Sequence, residues 1–254
     1  MPAADPAIVL VRHATLVLEL GDERVVVDPM LDPAGAREAV AGSPEPRPNP
    51  LIELPAGADA LLEGMTAAIV THLHADHLDA AGARFLAQRA IPAQGQPEDL
   101  ATLAERGIDA VALGAAPLGT LPVQRTGGRH GVGGLADRLG PVSGAVLTYE
   151  DERIYVAGDT VRSAEFDEAL HVHAPTTVVL NAGGARLLEG EPITMTAGEV
   201  ATIARDHPDT LFIAVHMDAI NHCLDTRAVL RAELERARAT NVLVPEDGER
   251  VVLD

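Results

Sequence analysis

The sequence predicts an α+β fold, a four-layer αββα sandwich in which two mixed β-sheets pack together and helices cover their outer faces. Short runs rich in Val, Ile and Leu recur along the chain, and both layers of such a sandwich would bury them. Helical patterns interrupt these runs with no fixed repeat period. No linker divides the 254 residues, so a single domain over residues 1–254 is expected, carrying a Pro-rich insertion at about 29–66.

Residues 7–12 (AIVLVR), 15–20 (TLVLEL) and 24–28 (RVVVD) read as strands, with Gly21-Asp22 as the turn between the second and third. Residues 29–66 hold seven prolines and little periodicity. A long irregular segment inside a compact domain is commonly functional, and this one is expected on the surface, bordering an active site. Strand 67–71 follows, then THLHADH, then a helix over 79–90. Gln96-Pro97-Glu98-Asp99 opens a second helix, since proline suits a first turn and acids suit its dipole. Residues 108–113 read as a strand and 114–141 as a Gly-rich loop. Strands 142–149 and 152–157 flank Glu150-Asp151. A helix from Ala164 to Leu170 precedes strand 176–180. Thr196 and Glu199 form a capping box for helix 197–206, and strand 210–215 comes next. Thr226 caps helix 227–239, with Val229, Leu230 and Leu234 inward. Residues 241–244 and 249–253 read as a closing hairpin across Asp247-Gly248.

Composition narrows the function. There are 19 basic and 38 acidic residues, a formal charge of −19. All the basic residues are arginine, so chemistry that needs a lysine is excluded. So acidic a chain, with 2% aromatics and no Trp, argues against nucleic acid and anionic membranes as partners. The lone cysteine, Cys223, cannot form an intrachain disulfide. The N-terminal segment has no basic leader, and no apolar run approaches a membrane span. A cytoplasmic protein with a small-molecule substrate is the expectation, its assembly, monomer or homo-oligomer, left open.

The histidines are clustered. His72, His74, Asp76 and His77 place four potential ligands in six residues, directly after an apolar strand and before a helix. Residues two apart in an extended segment point the same way, so His72 and His74 can reach one metal ion. Asp76 and His77, at the turn into the helix, can reach a second. Imidazole and carboxylate suit Zn2+, with Mn2+ or Fe2+ as alternatives.

THLHADH, with GGRHG around His130, YVAGDT around Asp159 and FIAVHMD around His216, resembles the metallo-β-lactamase-fold metallohydrolases. The matches run from residue 7 to about 222. The resemblance implies that His72, His74 and His130 hold one cation, that Asp76, His77 and His216 hold the other, and that Asp159 bridges them. VRHATLVLEL followed by RVVVDPML is similar to the branch that includes L-ascorbate-6-phosphate lactonase, although Arg12 stands where that branch has glycine.

Such a site needs no protein nucleophile. A shared water on two cations has its pKa lowered toward about 7, and Asp76 is the expected catalytic residue that orients it and carries its proton. The expected activity is hydrolysis of a small ester, lactone or phosphodiester, a lactone first. An iron-dependent oxidoreductase of the sulfur dioxygenase type, or a non-catalytic metal-binding protein, are the alternatives. His13, Asn181, His222 and Arg129 are the candidate substrate contacts. Arg125 and Arg162 join Arg129 as candidates for an anionic substrate group.

Overall fold

The computed structural model describes residues 5–253. Two sheets make its centre. The first takes β1 (Ala7–Arg12), β2 (Thr15–Leu20), β3 (Glu23–Val27), β4 (Ala67–Val70), β5 (Ala93–Gly95) and β6 (Ala110–Ala112). The second takes β7 (Val123–Gly127), β8 (Ser143–Tyr149), β9 (Glu152–Val156), β10 (Thr177–Asn181), β11 (Leu211–Val215) and β12 (Val242–Leu243). Finally β13 (Arg250–Val252) rejoins the first. Strand orders are β13-β1-β2-β3-β4-β5-β6 and β12-β11-β10-β9-β8-β7. β3 to β6 are mutually parallel, as are β9 to β12, while β1–β2–β3 and β7–β8–β9 are antiparallel. Both sheets are therefore mixed, as the α+β reading requires.

Strand alternation builds the layers. Ile8, Leu10, Leu16 and Leu18 point between the sheets, where they meet Leu147, Ile154, Val179 and Ile213. Val9, Val11, Val17 and Val26 point outward into a second cluster, with Ala58 and Leu62 from the turn of helix that packs on β1 and with Phe85, Leu86 and Leu103 from α2 (Ala80–Gln88) and α3 (Leu100–Glu105). On the second sheet Tyr155, Val178 and Phe212 point outward under α5 (Ala164–His173), α6 (Ala197–Asp206) and α7 (Arg227–Ala237), against Phe166, Val200 and Leu230. Each such aliphatic or aromatic side chain, fully buried, contributes about 1.5–3 kcal/mol. The remaining helices are α1 (Ala58–Leu61) and α4 (Gly134–Leu139).

Several boundaries and one pairing differ from the sequence reading. The two C-terminal strands are not a hairpin: β12 pairs with β11 in the second sheet, and β13 pairs with β1 in the first. The chain ends by completing one edge of each sheet. Val229 is 47% exposed, because α7 buries the stripe Arg227, Leu230 and Leu234 and leaves 229 outside it. The Gly-rich 114–141 segment contains β7 and α4, whose glycines hide the hydrophobic period.

Candidate metal centre

The parallel strands fix where the site forms. β3 and β4 end on the same edge of the first sheet, and β9, β10 and β11 end on the same edge of the second. Side chains just past parallel strand ends converge in one crevice. His72–His77 follows β4, Asp28 follows β3, Asp159 follows β9, Asn181 ends β10 and His216 follows β11. His13 sits in the β1–β2 turn and His130 lies beyond β7. Three of these residues have left-handed backbones: His13 (φ 61°), Asp28 (φ 45°) and His216 (φ 69°). That conformation costs a non-glycine residue roughly 1 kcal/mol or more, and it clusters where function over-determines it.

Two ligand groups stand side by side, one of His72, His74 and His130, the other of Asp76, His77, Asp159 and His216, and a third set, His13, His216 and Cys223, shares His216 with the second. In the second, His77 Nε2, His216 Nε2 and Asp159 Oδ1 form a triangle with all three edges 3.3 Å. Asp76 Oδ2 lies 3.7 Å from His216 Nε2. The other oxygen of Asp159 turns to the first group, 3.6 Å from His130 Nε2. One carboxylate thus faces both groups.

Partners behind the rings set their tautomers. His77 Nδ1 donates to Asp28 Oδ2 at 2.7 Å, and His130 Nδ1 donates to the Ile193 carbonyl at 2.8 Å. Asp28 also accepts from the Thr71 amide and hydroxyl, both at 2.7 Å. His216 Nδ1 lies 3.5 Å from Cys223 Sγ. Each of these rings therefore turns Nε2 inward. His72 Nε2 is buried without any partner among the described residues, and Asn181 Nδ2 donates to Asp159 Oδ1 at 2.7 Å.

These residues fit a cation. Two imidazole nitrogens with their protons committed elsewhere would point lone pairs at each other across 3.3 Å. Four ligands held tetrahedrally at 2.0–2.1 Å stand about 3.3–3.4 Å apart, the separation found here. In the metal-free protein a proton takes the cation's place. Burial works against a charged His77, but Asp159 and Asp28 outweigh it and hold its pKa well above the usual imidazole value. Burial likewise opposes ionisation of Asp159, and His216 and His77 outweigh it, holding the carboxyl well below its usual range. His72 and His216 are pushed well down by burial.

His13 stacks on His216 with ring centroids 3.6 Å apart, and its Nε2 lies 3.5 Å from Asp76 Oδ2. Burial lowers its pKa to about 4, against the pull of Asp76. The structure places His13 beneath the ligands and Asn181 on Asp159. His222, 5% exposed, lines the cleft above them. Arg129 is exposed, pairs with Glu165 at 3.0 Å and does not line that cleft. Arg125 is bound to Ser143 and Arg162 to Asp206, at 2.8 and 2.9 Å.

The cleft has a volume of about 390 Å³ and opens on His74, Asp76 and His130. Its remaining wall is largely apolar, from Val40, Ala41, Leu139, Leu187, Ile193 and Ile220. Two arginines to which the sequence assigns no role lie around it. Arg12 is fully buried and donates to the carbonyls of Ile52, Met30 and Asp32, tying the Pro-rich segment to the end of β1. An arginine closing an apolar strand was the available signal. Arg37 lines the cleft, donates to the Ala75 carbonyl within the ligand loop and lies 3.6 Å from Asp32.

The sandwich and its two ligand groups define a metallohydrolase of the metallo-β-lactamase fold. The family described as Beta-lactamase superfamily domain matches residues 23–217. The Bacillus subtilis UPF0173 protein YddR is 31% identical over 258 residues, covering 94% of this chain and 96% of its own. Among solved structures, a possible metal-dependent hydrolase from Veillonella parvula aligns with TM-score 0.93 and 28% identity, over 98% of this chain and 100% of that one. An isothiocyanate hydrolase from Delia radicum gut bacteria aligns with TM-score 0.86 and 34% identity, over 97% and 99%. The chain belongs to the UPF0173 family of metal-dependent hydrolases within that superfamily. No helix among the described residues is long and apolar enough to cross a membrane.

Proposed function

We propose that this enzyme uses two divalent cations, Zn2+ first among them, to hydrolyse a small neutral substrate with an apolar substituent. The observation that carries the reading is the cleft itself, an apolar chamber whose floor is the junction of both ligand groups. His72, His74 and His130 would hold one cation, Asp76, His77 and His216 the other, with Asp159 between them. Bound there, the cations supply Lewis acidity, lowering the pKa of a water ligand toward about 7 and polarising the attacked group.

The chain's own residues do the rest. Asp76 orients the attacking water and takes its proton, with His13 Nε2 beneath it at 3.5 Å. Asn181 holds Asp159, and the apolar wall seats the substituent and excludes competing water. Arg125, Arg129 and Arg162 are committed to protein partners, whereas Arg37, on the cleft wall, bonds the Ala75 carbonyl and keeps its Nη2 without a hydrogen-bond partner among the described residues. The apolar wall of the chamber favours neutral substrates ahead of phosphodiesters.

Organic isothiocyanates come first among neutral substrates, because the relative named for that activity shares 34% of residues over nearly the whole chain. Water adds its oxygen to the electrophilic carbon of R–N=C=S. The C–N electrons go to nitrogen, which takes the proton, and the thiocarbamic acid breaks into amine and carbonyl sulfide. Lactones and esters come second, because the same geometry suits attack at a carbonyl. The test is turnover by metal-loaded protein of an isothiocyanate, a lactone and a phosphodiester panel. Turnover confined to phosphodiesters would overturn the reading, and metal-dependent oxygen uptake would replace it with the oxidoreductase alternative.

A further inference from the structure

The ligand groups absorb five of the histidines gathered at these strand ends, and His13 lies beneath them. His222 is left. It belongs to neither ligand group, although it lines the same cleft as His74, Asp76 and His130. It is 5% exposed, and its Nδ1 is buried without a hydrogen-bond partner. Nε2 also makes no hydrogen bond among the described residues and, unlike Nδ1, is not fully buried, so it is the ring atom open to the cleft that His222 lines.

Its placement is built rather than incidental. The His222 carbonyl accepts from the Arg186 amide at 3.0 Å, and the next residue, Cys223, bridges to Ala185. The preceding residue, Asn221, accepts from Asn49 Nδ2 at 2.7 Å and from the Val40 amide at 3.1 Å. The loop bearing His222 is thus fastened on one side to 185–186 and on the other to the Pro-rich segment. A buried N–H without an acceptor is costly, so the ring's proton belongs on Nε2, the nitrogen left for the cleft.

We propose that His222 is a catalytic residue that donates an Nε2–H hydrogen bond to the leaving heteroatom as its bond to the attacked carbon breaks. This rests on the hydrolytic reading above. In ester hydrolysis, water oxygen bonds to the carbonyl carbon, the C–O bond to the leaving group breaks, and its electron pair goes to the leaving oxygen. That oxygen takes the proton which Asp76 received from the water. His222 keeps its own proton throughout and acts as a fixed dipole facing the developing charge. An imidazole that burial keeps neutral is suited to this, since it donates without needing to titrate.

The experiment compares wild type, His222→Ala and His222→Gln, each loaded with Zn2+, on 4-nitrophenyl esters and alkyl esters of one acid. A leaving group that is already a good anion needs little help, and a poor one needs much. His222→Ala should lose about 10²–10³-fold in kcat on alkyl esters. On 4-nitrophenyl esters it should lose less than about tenfold. His222→Gln, which keeps a donor, should recover part of the alkyl-ester loss. Zinc per chain and thermal unfolding should match wild type in both variants. A uniform loss across the series would overturn the proposal, as would loss of one zinc per chain, which would make His222 a ligand. If wild type turns over no ester, lactone or isothiocyanate, the hydrolytic reading itself falls, and this role with it.

Discussion

Replacing Asp28 by Asn probes the link from sheet to metal centre. Asp28 touches no substrate, yet its Oδ2 accepts from His77 Nδ1 and the Thr71 hydroxyl, and its Oδ1 from the Thr71 amide, all at 2.7 Å. Asparagine offers one oxygen. If that oxygen faces His77, the amide NH2 meets the Thr71 N–H; if it faces Thr71, the NH2 meets the His77 N–H. Either arrangement sets two donors together and loses one charge-assisted bond, about 1.5–3 kcal/mol. Partners behind a metal-bound imidazole are worth about 10–100-fold in affinity, which is about 1.4–2.8 kcal/mol, so the two routes agree. Competition against a chromophoric chelator should show one site weakened by that factor, with the site at His72, His74 and His130 nearly unchanged. The loss should be largest at alkaline pH. At lower pH the variant's His77, relieved of one carboxylate, binds its competing proton less tightly and offsets part of the effect. Two unchanged sites in a folded variant would refute the assignment of His77 as a ligand oriented by Asp28.

In wild type, metal uptake near neutral pH should release a proton from His77, whose pKa lies above the usual value; calorimetry in buffers of differing ionisation enthalpy reads it, and affinity should fall as pH falls. Metal-free protein should lose stability at acid pH, because Asp76 and Asp159 are held below the usual carboxylate range and their contribution disappears as they protonate. On the alkaline side, the stability contributed by His77 is full below the unfolded imidazole pKa and lost as pH rises through its raised folded value; denaturant midpoints across pH test both limbs. Gly82→Ala should destabilise by about 1–3 kcal/mol or more, since a Cβ there would stand 1.7 Å from the Pro29 carbonyl oxygen. Chemical unfolding measures that cost, and a neutral result would contradict the packing of α2 against the start of the Pro-rich segment.

The cluster at 72–77 was legible because four potential ligands follow an apolar strand within six residues. His130, Asp159 and His216 carry no such local density, and only their resemblance to a family pattern singled them out. The structure brings them together because parallel strands end on one edge. Strands such as Ala7–Arg12 and Thr15–Leu20 were legible from hydrophobic runs bounded by turn residues. α4 was not, because Gly133, Gly134 and Gly140 mask its period. The separation of β12 from β13 was invisible locally, since a turn at Asp247-Gly248 serves a hairpin and a crossover equally. Arg129, a candidate substrate contact from its place beside His130, has its side chain turned to Glu165, because adjacency in sequence says nothing about direction.

The most direct test is anomalous diffraction from crystals of the metal-loaded protein, recorded at the metal's absorption edge. The account predicts two peaks, one bounded by His72, His74 and His130, the other by Asp76, His77 and His216, with Asp159 reaching both. A single peak, or density away from these seven side chains, would contradict it.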